Sequence, residues 1–304
     1  MRRVIVVAII STILLLLPGC RSTAQMAPTL LPTLNLPTSQ PAATSTQYAA
    51  IIPTSTSTPT HTPCRETHGT ILDIEIPTDL LNRPVSTKVY LPPCYDTDAA
   101  TEYPVFYMLH GQAATNDQWV RLGLSGAADE LINLGTIQPL IIVMPFEITW
   151  TPGPEDSNFD EALIGDVVPY IDANYATCAE RGCRAVGGLS RGGNWAVYLG
   201  FAYPELFGVV GAHSTPLFYG EETRISRALS EAALVDDLPY ILIDMGSKDD
   251  DRAFVQAFRT FLEENGIPFD YHEFDGRHEE SYWSAHVSDY LQWYSERLII
   301  PGEA

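Results

Sequence analysis

A serine stands among glycines in the segment RAVGGLSRGGNW, residues 184–195, where Gly188 lies two positions before Ser190 and Gly192 two positions after it. This Gly-x-Ser-x-Gly spacing is typical of a nucleophile on a sharp turn between a strand and a helix. The glycines are needed because a side chain at either position would collide where the helix crosses the strand. An apolar run precedes the serine, and a stretch of helical character follows it. The spacing therefore predicts that Ser190 is a nucleophile, and a purely structural turn is the alternative.

A nucleophilic serine needs a base, and four histidines follow it in the chain. His278 lies between the last predicted strand and the last predicted helix. That loop carries the base in folds whose triad runs in the order Ser, Asp or Glu, His. His272 falls within a predicted strand and His286 within a predicted helix, while His213 ends a strand beside the serine turn and could line the pocket. The position in the chain therefore favours His278 as the base.

The acid that orients the base is expected after the strand YILIDM, in the segment DMGSKDDD. Asp244 is still within the strand. Asp251 is predicted to begin the next helix, where an acidic residue can serve only as a cap. Asp249 lies in the loop that follows Gly246, and it is the predicted acid, with Asp250 as the next candidate.

An oxyanion hole is expected from the segment YMLHGQAATNDQW, in which a strand ends at His110 and a turn follows. Gly111 allows the backbone to come close, so the N–H of Gln112 can point into the site. The N–H of Arg191, the residue after the nucleophile, is the second expected donor. His110 is predicted to be a structural hydrogen-bonding residue, because His278 already supplies the base.

The acyl pocket is expected to be walled by residues 214–238, between two predicted strands. Phe218 and Tyr219 are the aromatic candidates in that segment, with core packing as the alternative. Glu147 and Trp150, which follow the fourth predicted strand, are further candidates at the same edge of the sheet.

Apolar runs alternate with stretches of helical spacing from residue 69 onward. The runs PVFYML, LIIVMP and YILIDM are almost wholly apolar, as strands buried on both faces of a parallel sheet must be. Eight strands are predicted, at residues 69–76, 84–91, 104–109, 140–144, 183–189, 207–213, 239–245 and 268–274. Five helices are predicted, at residues 126–134, 158–175, 191–203, 251–265 and 281–299. The first two strands are expected to form a hairpin that turns near Asp79–Asn82. The rest predict an α/β fold, a mostly parallel sheet of about eight strands with helices on both faces.

Five blocks between residues 66 and 299 resemble, in their order, the esterase D-type family of α/β-hydrolases. That family includes feruloyl esterases, S-formylglutathione hydrolases and mycolyltransferases. The matching blocks are YPVFYMLHGQAATNDQW, DVVPYIDANY, RAVGGLSRGGNWAVYLGFAYPELFGVVGAHS, IDMGSKDD and GRHEESYW. The resemblance implies the α/β-hydrolase fold, with Ser190 as nucleophile, Asp249 as acid, His278 as base, and Gln112 and Arg191 as oxyanion donors.

Two positions depart from this family's pattern. Arg191 stands where the family usually has Met or Gln, which leaves a backbone donor unaffected. The segment GRHEE replaces the commoner Gly-Gly-His, which leaves the shape of the loop around His278 open.

Motifs and resemblance together favour a serine carboxylic ester hydrolase with an acyl-enzyme intermediate, and they imply no metal or organic cofactor. The expected substrate is a small-molecule or carbohydrate-linked ester, with acylated polysaccharide as the candidate. Two alternatives stay open: an acyltransferase of the mycolyltransferase type, and a tethered binding module without catalysis. The acyl group, the alcohol and the oligomeric state are not fixed by the sequence.

The first 20 residues have the layout of a secretory signal, with a basic start and an apolar run from Val4 to Leu17. The ending LPGC resembles the bacterial lipoprotein box, which predicts that Cys20 is lipidated and anchors an exported protein at the cell surface. An uncleaved anchor and ordinary signal cleavage are the alternatives. Residues 21–63 are rich in Thr, Pro and Ser and predict a disordered tether. Residues 64–304 are expected to form the esterase domain.

All 38 acidic residues of the chain follow residue 63, and the formal net charge is −21. A surface of this sign repels nucleic acid and anionic lipid. We therefore expect no nucleic-acid partner, and membrane contact through the N-terminal anchor only.

Four cysteines follow Cys20, and an even number in an exported chain predicts two disulfides. Cys178 and Cys183 bracket a short loop. Cys64 and Cys94 flank the predicted hairpin and would meet at its open end. No CxxC or HxxxH spacing supports the alternative, a zinc site.

Overall fold

The computed structural model describes residues 64–95, 101–147, 153–231 and 238–299. The predicted signal peptide, Cys20 and the predicted tether lie outside the described residues, as does Trp150. Among the described residues, no helix combines the length and the apolar character that crossing a bilayer requires.

Eight strands form one sheet in the order β1-β2-β4-β3-β5-β6-β7-β8. The strands are β1 (Thr70–Ile76), β2 (Val85–Leu91), β3 (Val105–Leu109), β4 (Ile141–Pro145), β5 (Arg184–Leu189), β6 (Val209–His213), β7 (Tyr240–Gly246) and β8 (Asp270–Phe274). The pairs β1–β2 and β2–β4 are antiparallel, and every other neighbouring pair is parallel. The predicted eight-stranded, mostly parallel sheet is thus confirmed, as is the hairpin at its start.

Helices cover both faces of the sheet, as predicted. They are α1 (Gln118–Arg121), α2 (Leu124–Asn133), α3 (Phe159–Ala162), α4 (Val168–Asn174), α5 (Arg191–Ala202), α6 (Glu221–Glu231), α7 (Arg252–Glu264) and α8 (Glu280–Arg297). Alternate residues of β3 enter opposite cores. Val105 and Tyr107 pack in the core that contains α5 and α7, and Phe106 and Met108 pack in the core that contains α2 and α8. Alternating side chains of one buried strand thus serve two layers.

The helix predicted over residues 158–175 is interrupted. A π-helical turn, Leu163–Val167, separates α3 from α4. Pro169 lies in the first turn of α4. Because proline has no backbone N–H to donate to the preceding turn, a regular α-helix cannot run through this point. Helices α1 and α6 were not predicted, and α6 occupies part of the segment expected to be a pocket wall.

Helix α8 packs against the two central strands through one tyrosine. The hydroxyl of Tyr294 lies so close to Gly187 in β5 and Gly211 in β6 that a Cβ atom at either position would collide with it. The small residues in these two strands therefore make room for α8.

Two disulfides join the cysteines as predicted, Cys64 to Cys94 and Cys178 to Cys183. The first closes the open end of the β1–β2 hairpin, because Thr70 pairs with Leu91 in the register of the two strands.

Candidate active site

Ser190 lies between the end of β5 and the start of α5, at the carboxyl edge of the sheet. Its backbone has a φ of 52°, a conformation that non-glycine residues seldom adopt. The N–H of Ser190 donates to the carbonyl oxygen of His213, the last residue of the neighbouring strand, at 2.8 Å. A strained backbone at a central strand end is typical of functional residues, where the surrounding structure holds it in place.

The two glycines that flank the serine are required by this turn. A Cβ atom at Gly188 would collide with the backbone of Gly192, and one at Gly192 would collide with the carbonyl groups of Leu109 and His110. The start of α5 therefore lies directly against the end of β3. The Gly-x-Ser-x-Gly spacing has the steric origin that the sequence predicted.

Three of the predicted site residues lie in one hydrogen-bonded chain. The hydroxyl of Ser190 is 3.0 Å from Nε2 of His278, and Nδ1 of His278 is 3.1 Å from a carboxylate oxygen of Asp249. An ionised carboxylate only accepts hydrogen bonds, so Nδ1 carries the proton and donates it. The unprotonated Nε2 then accepts from the hydroxyl of Ser190. This tautomer is the one that can remove a proton from the serine.

The structure also distinguishes between the neighbouring aspartates. Asp249 is buried and its carboxylate accepts from the N–H of Asp251 at 2.8 Å. Asp250 is exposed. Asp251 precedes α7 without making a side-chain capping bond, and one of its oxygens lies 3.7 Å from Nδ1 of His278. Asp249 is therefore the carboxylate that engages the histidine.

Charge and burial act in opposite directions on the imidazole. Burial disfavours the charged form of His278, but the hydrogen bond from Nδ1 to Asp249 and the negative charges of Asp249, Asp251 and Asp250 outweigh it, so the pKa of His278 is raised. Burial likewise disfavours a charged Asp249, but the hydrogen bonds from His278 and the Asp251 N–H and the charge of His278 prevail and lower the pKa of Asp249. Both shifts favour the charged forms, an imidazolium beside an ionised carboxylate, so a higher pH is needed to neutralise His278 than an ordinary histidine requires.

Gln112, the first predicted oxyanion donor, lies in an exposed loop just after β3. The loop is fixed at the preceding residue, because the N–H of Gly111 donates to the side-chain oxygen of Gln118 at 2.8 Å. The side-chain amide of Gln118 in turn donates to Glu280, the first residue of α8, at 3.1 Å. Arg191, the second predicted donor, is the first residue of α5, where backbone N–H groups point out of a helix start.

His110 has the structural role expected of it. Its Nε2 accepts the N–H of Glu147 at 3.0 Å, so its Nδ1 carries the proton that goes to the carbonyl oxygen of Gly111 at 2.9 Å. Burial lowers the pKa of His110 below its ordinary value, which keeps the ring neutral.

Arg191 and Glu147 form a buried ion pair beside the candidate nucleophile, with 2.7 Å between the guanidinium Nε and a carboxylate oxygen. The guanidinium also lies over the ring of Phe218, with 5.5 Å from its central carbon to the ring centroid. Phe218 is buried and packs edge-on against Trp195, whereas Tyr219 is exposed. Phe218 is therefore part of the core, the alternative that the sequence left open.

The suggestion that His213 lines the pocket is wrong. Its side chain is fully buried and bonded to Asp244 and Tyr294, and its ring stacks on Tyr290. The sequence could not show this, because a histidine at a strand end looks the same whether it faces a cavity or a carboxylate on the next strand.

Sequence reasoning missed Ser214 and Trp283. Ser214 follows β6, is fully buried and has a φ of 49°. Its hydroxyl oxygen accepts the indole N–H of Trp283 at 3.2 Å. The ring of Trp283 stands edge-on to the ring of His278, with 5.0 Å between the centroids. The single signal in the sequence was the position of Ser214 immediately after a strand beside β5.

Asp249, Asp251 and His278 are a described group whose ligand atoms lie within 4.8 Å of one another, as a metal site requires. The same atoms already join His278 to Asp249, so a metal ion there would compete with the hydrogen bond that orients the imidazole. That no cofactor is needed stays a prediction.

The family model and two of the relatives that match this chain are described as esterases. The sequence model of the family described as "Putative esterase" matches residues 78–294. An endo-1,4-beta-xylanase/feruloyl esterase of Xylanibacter ruminicola is 30% identical over 192 residues, which is 60% of this chain and 25% of that protein. Esterase Rv1288 of Mycobacterium tuberculosis is 35% identical over 136 residues, 42% of this chain and 28% of that protein. The chain thus matches about a quarter of the length of these relatives.

Solved structures share the fold. A mutant of the feruloyl esterase module from Clostridium thermocellum, complexed with sinapinate, superposes with a TM-score of 0.68 at 22% identity, covering 80% of this chain and 93% of that one. At this identity the likeness concerns the fold, which is that of the α/β-hydrolase esterases.

Proposed function

We propose that this chain, which belongs to the putative esterase family, is a serine carboxylic ester hydrolase. Ser190 is then its nucleophile, His278 its general base and Asp249 the acid that orients the base. The observation that carries the proposal is the hydrogen-bonded chain from Ser190 through His278 to Asp249, with distances of 3.0 and 3.1 Å. Nucleophile and base within hydrogen-bond reach, with the base oriented by a third group, is the arrangement that activates a serine.

In the first half of the reaction, His278 takes the hydroxyl proton of Ser190 on Nε2, and the serine oxygen bonds to the carbonyl carbon of the ester. The tetrahedral intermediate collapses as the bond to the alcohol oxygen breaks, and the imidazolium returns its proton to the departing alcohol. In the second half, His278 takes a proton from water, which attacks the acyl-enzyme. The acid product leaves and Ser190 regains its proton.

The negative charge on the tetrahedral oxygen is assigned to the backbone N–H groups of Gln112 and Arg191. The first is supported by the fixed loop, since Gly111 is held by Gln118 at 2.8 Å. The second is supported by its place at the start of α5, where the helix dipole favours negative charge.

The proposed substrates are esters carried by polysaccharide. The protein itself is proposed to be exported to the cell surface and anchored there by lipid at Cys20. The support for the substrate is the resemblance over 192 residues to a protein named xylanase/feruloyl esterase. The support for export is the pair of disulfides, which persist in oxidising compartments.

The test compares the purified full chain with Ser190→Ala on p-nitrophenyl acetate, butyrate and octanoate and on methyl ferulate. A control is Ser284→Ala, whose hydroxyl bonds only the carbonyl of Leu122 among the contacts of the described residues. We expect Ser190→Ala to lose hydrolysis and fluorophosphonate labelling, and Ser284→Ala to keep both.

Three results would contradict the proposal. Undiminished hydrolysis by Ser190→Ala would exclude the serine as nucleophile. A wild-type protein that reacts with fluorophosphonate but hydrolyses none of the four esters would favour the acyltransferase, and one that does not react would favour the binding module.

A further inference from the structure

A carboxylate at the start of α8 lies between the two halves of the proposed site. Glu280 is two positions after the proposed base, His278. It accepts a hydrogen bond from the side-chain amide of Gln118 at 3.1 Å, and the side-chain oxygen of Gln118 accepts the N–H of Gly111 at 2.8 Å. Gly111 immediately precedes Gln112, the proposed oxyanion donor. Two hydrogen bonds therefore connect the segment of the base to the loop of the oxyanion donor.

Glu280 is itself oriented by an arginine of α1. Arg121 lies three positions after Gln118, on the same face of that helix. Its two terminal nitrogens donate to the two oxygens of Glu280, at 2.9 and 3.1 Å. Such a two-bond contact fixes the plane of the carboxylate. The hydrogen bonds and the charge of Arg121 also hold the pKa of Glu280 below its ordinary value, so Glu280 is ionised at neutral pH.

The ionised carboxylate decides which way the amide of Gln118 points. A carboxylate can only accept hydrogen bonds, whereas an amide donates through its nitrogen and accepts through its oxygen. Glu280 therefore holds the amide nitrogen of Gln118 and leaves the amide oxygen for the N–H of Gly111. Gln118 is buried, so the reversed amide would set two donors against each other away from water, which is costly.

We infer that Glu280 is a positioning residue for the proposed reaction: through the amide of Gln118, its carboxylate sets the place of the Gln112 N–H. This rests on the proposed ester hydrolysis at Ser190 and on the proposed role of Gln112. Among the contacts of Glu280 with described residues, none is to a reacting group. The segment GRHEE, which departs from the family's pattern, ends in this residue.

Two variants of the full chain test the acceptor. Glu280→Ala removes it, and Glu280→Gln keeps one oxygen that can accept from the amide of Gln118. Fluorophosphonate titration counts competent sites, so kcat is expressed per active serine. We expect Glu280→Ala to lose about fivefold in kcat, the rate equivalent of one hydrogen bond, with KM unchanged, and Glu280→Gln to lose less. The unfolding temperature should stay near that of the wild type, because the pair with Arg121 is half-exposed.

Two readouts connect the loss to the oxyanion, which a merely structural role would not do. When a trifluoromethyl ketone inhibits, Ser190 adds to its carbonyl carbon, the serine proton passes to His278, and the ketone oxygen becomes an oxyanion that needs the same donors as the tetrahedral intermediate. The inhibition constant should therefore rise by about the factor by which kcat falls. Because Glu280 acts through Gln118, the double variant Gln118→Ala/Glu280→Ala should be no slower than Gln118→Ala.

Two further variants are matched controls. Glu279→Gln removes the neighbouring charge, whose carboxylate accepts from the hydroxyl of Ser281 at 2.9 Å. Ser284→Ala removes a different bond from the first turns of α8, from its hydroxyl to the carbonyl of Leu122 just after α1. Both are expected to keep the wild-type kcat and inhibition constant.

A Glu280→Ala enzyme with wild-type kcat per titrated site overturns the inference while the proposed function stands. So does a loss of kcat with an unchanged inhibition constant, or a double variant in which the two losses multiply. Failure of the proposed function looks different, because then the wild type hydrolyses no ester or Ser190→Ala keeps its activity. In that case hydrogen exchange at the Gly111 amide, measured by NMR, still decides whether Glu280 holds the loop: faster exchange in Glu280→Ala supports the hold, and equal exchange overturns it.

Discussion

Arg191 and Glu147 form a buried ion pair, with 2.7 Å between the guanidinium Nε and a carboxylate oxygen. Arg191 follows the proposed nucleophile. The backbone N–H of Glu147 donates to His110, which lies between β3 and the proposed oxyanion donor Gln112. The pair therefore ties the start of α5 to the loop after β4, at the point where two backbone donors of the proposed oxyanion hole must be held.

Glu147→Gln should destabilise the protein by about 3 kcal/mol, because the variant removes a carboxylate charge that lies 2.7 Å from a buried guanidinium. Urea unfolding measures the difference. Asp275→Asn is the matched control, since its pair with Lys248 is exposed and should leave the unfolding midpoint unchanged. Equal midpoints for both variants would contradict the assigned importance of the buried pair.

The acid limb of kcat/KM should lie above pH about 6.5, the ordinary value for imidazole. His278 must be neutral to accept the serine proton. Burial opposes its charge, but Asp249 outweighs burial and raises its pKa. Activity is therefore lost as the pH falls through this raised pKa.

Asp249→Asn removes the carboxylate that raises the pKa, so the limb should move to lower pH while kcat falls by up to about 10⁴-fold. Asp250→Asn is the control, because that side chain is exposed and its charge is screened by solvent. The assignment of the acid would be wrong if Asp250→Asn caused the larger loss. Initial rates from pH 4.5 to 9 distinguish the two.

Gln118→Ala should lower kcat about tenfold and leave KM nearly unchanged. The variant takes the acceptor from the buried N–H of Gly111 and frees the loop that carries Gln112. Gln292→Ala, in which the lost bond is to the carbonyl of Ser288 within α8, serves for comparison and should keep full activity. A change in KM alone would place Gln118 in substrate binding instead.

Gly188→Ala should prevent folding or destabilise the protein by several kcal/mol, because the added methyl group meets the backbone of Gly192. Gly126→Ala should have the opposite effect on stability. A Cβ there meets nothing within 4 Å, and the residue lies inside α2, so about 0.5–1 kcal/mol of stabilisation is expected. Thermal unfolding of the two variants tests both signs at once.

Much of the fold was predictable because buried parallel strands carry a strong local signal. The run YILIDM predicted a strand over residues 239–245, and β7 spans Tyr240–Gly246. Helix α6 was missed because residues 221–231 are rich in charge and lie in a segment that sequence reasoning treated as a pocket wall. The interruption before α4 depends on Pro169. Its apolar neighbours have regular helical spacing, but the proline lacks the one backbone N–H that a continuous helix needs there.

The site divides in the same way. That Ser190 and His278 lie together could be predicted, because the glycines mark the position of the first and the end of the sheet marks the position of the second. Spacing placed Asp249 ahead of Asp250 without excluding the second, and burial and the hydrogen bond to His278 distinguish the two. Ser214 and the place of His213 depend on contacts between residues 31 or more positions apart, such as His213 with Asp244 and Ser214 with Trp283.

Helix α8 determines when the proposed site can be completed during synthesis. It follows His278 directly, and its Tyr294 hydroxyl occupies the space left by Gly187 and Gly211 in the two central strands. During synthesis, β5 and Ser190 emerge about 100 residues before this helix. Until α8 packs against the sheet, the space beside Gly187 and Gly211 is not filled by Tyr294. Ser190 then also lacks His278 and the nearby indole of Trp283. The proposed nucleophile therefore cannot meet its proposed base until the last part of the chain has been made, so the proposed site is completed late.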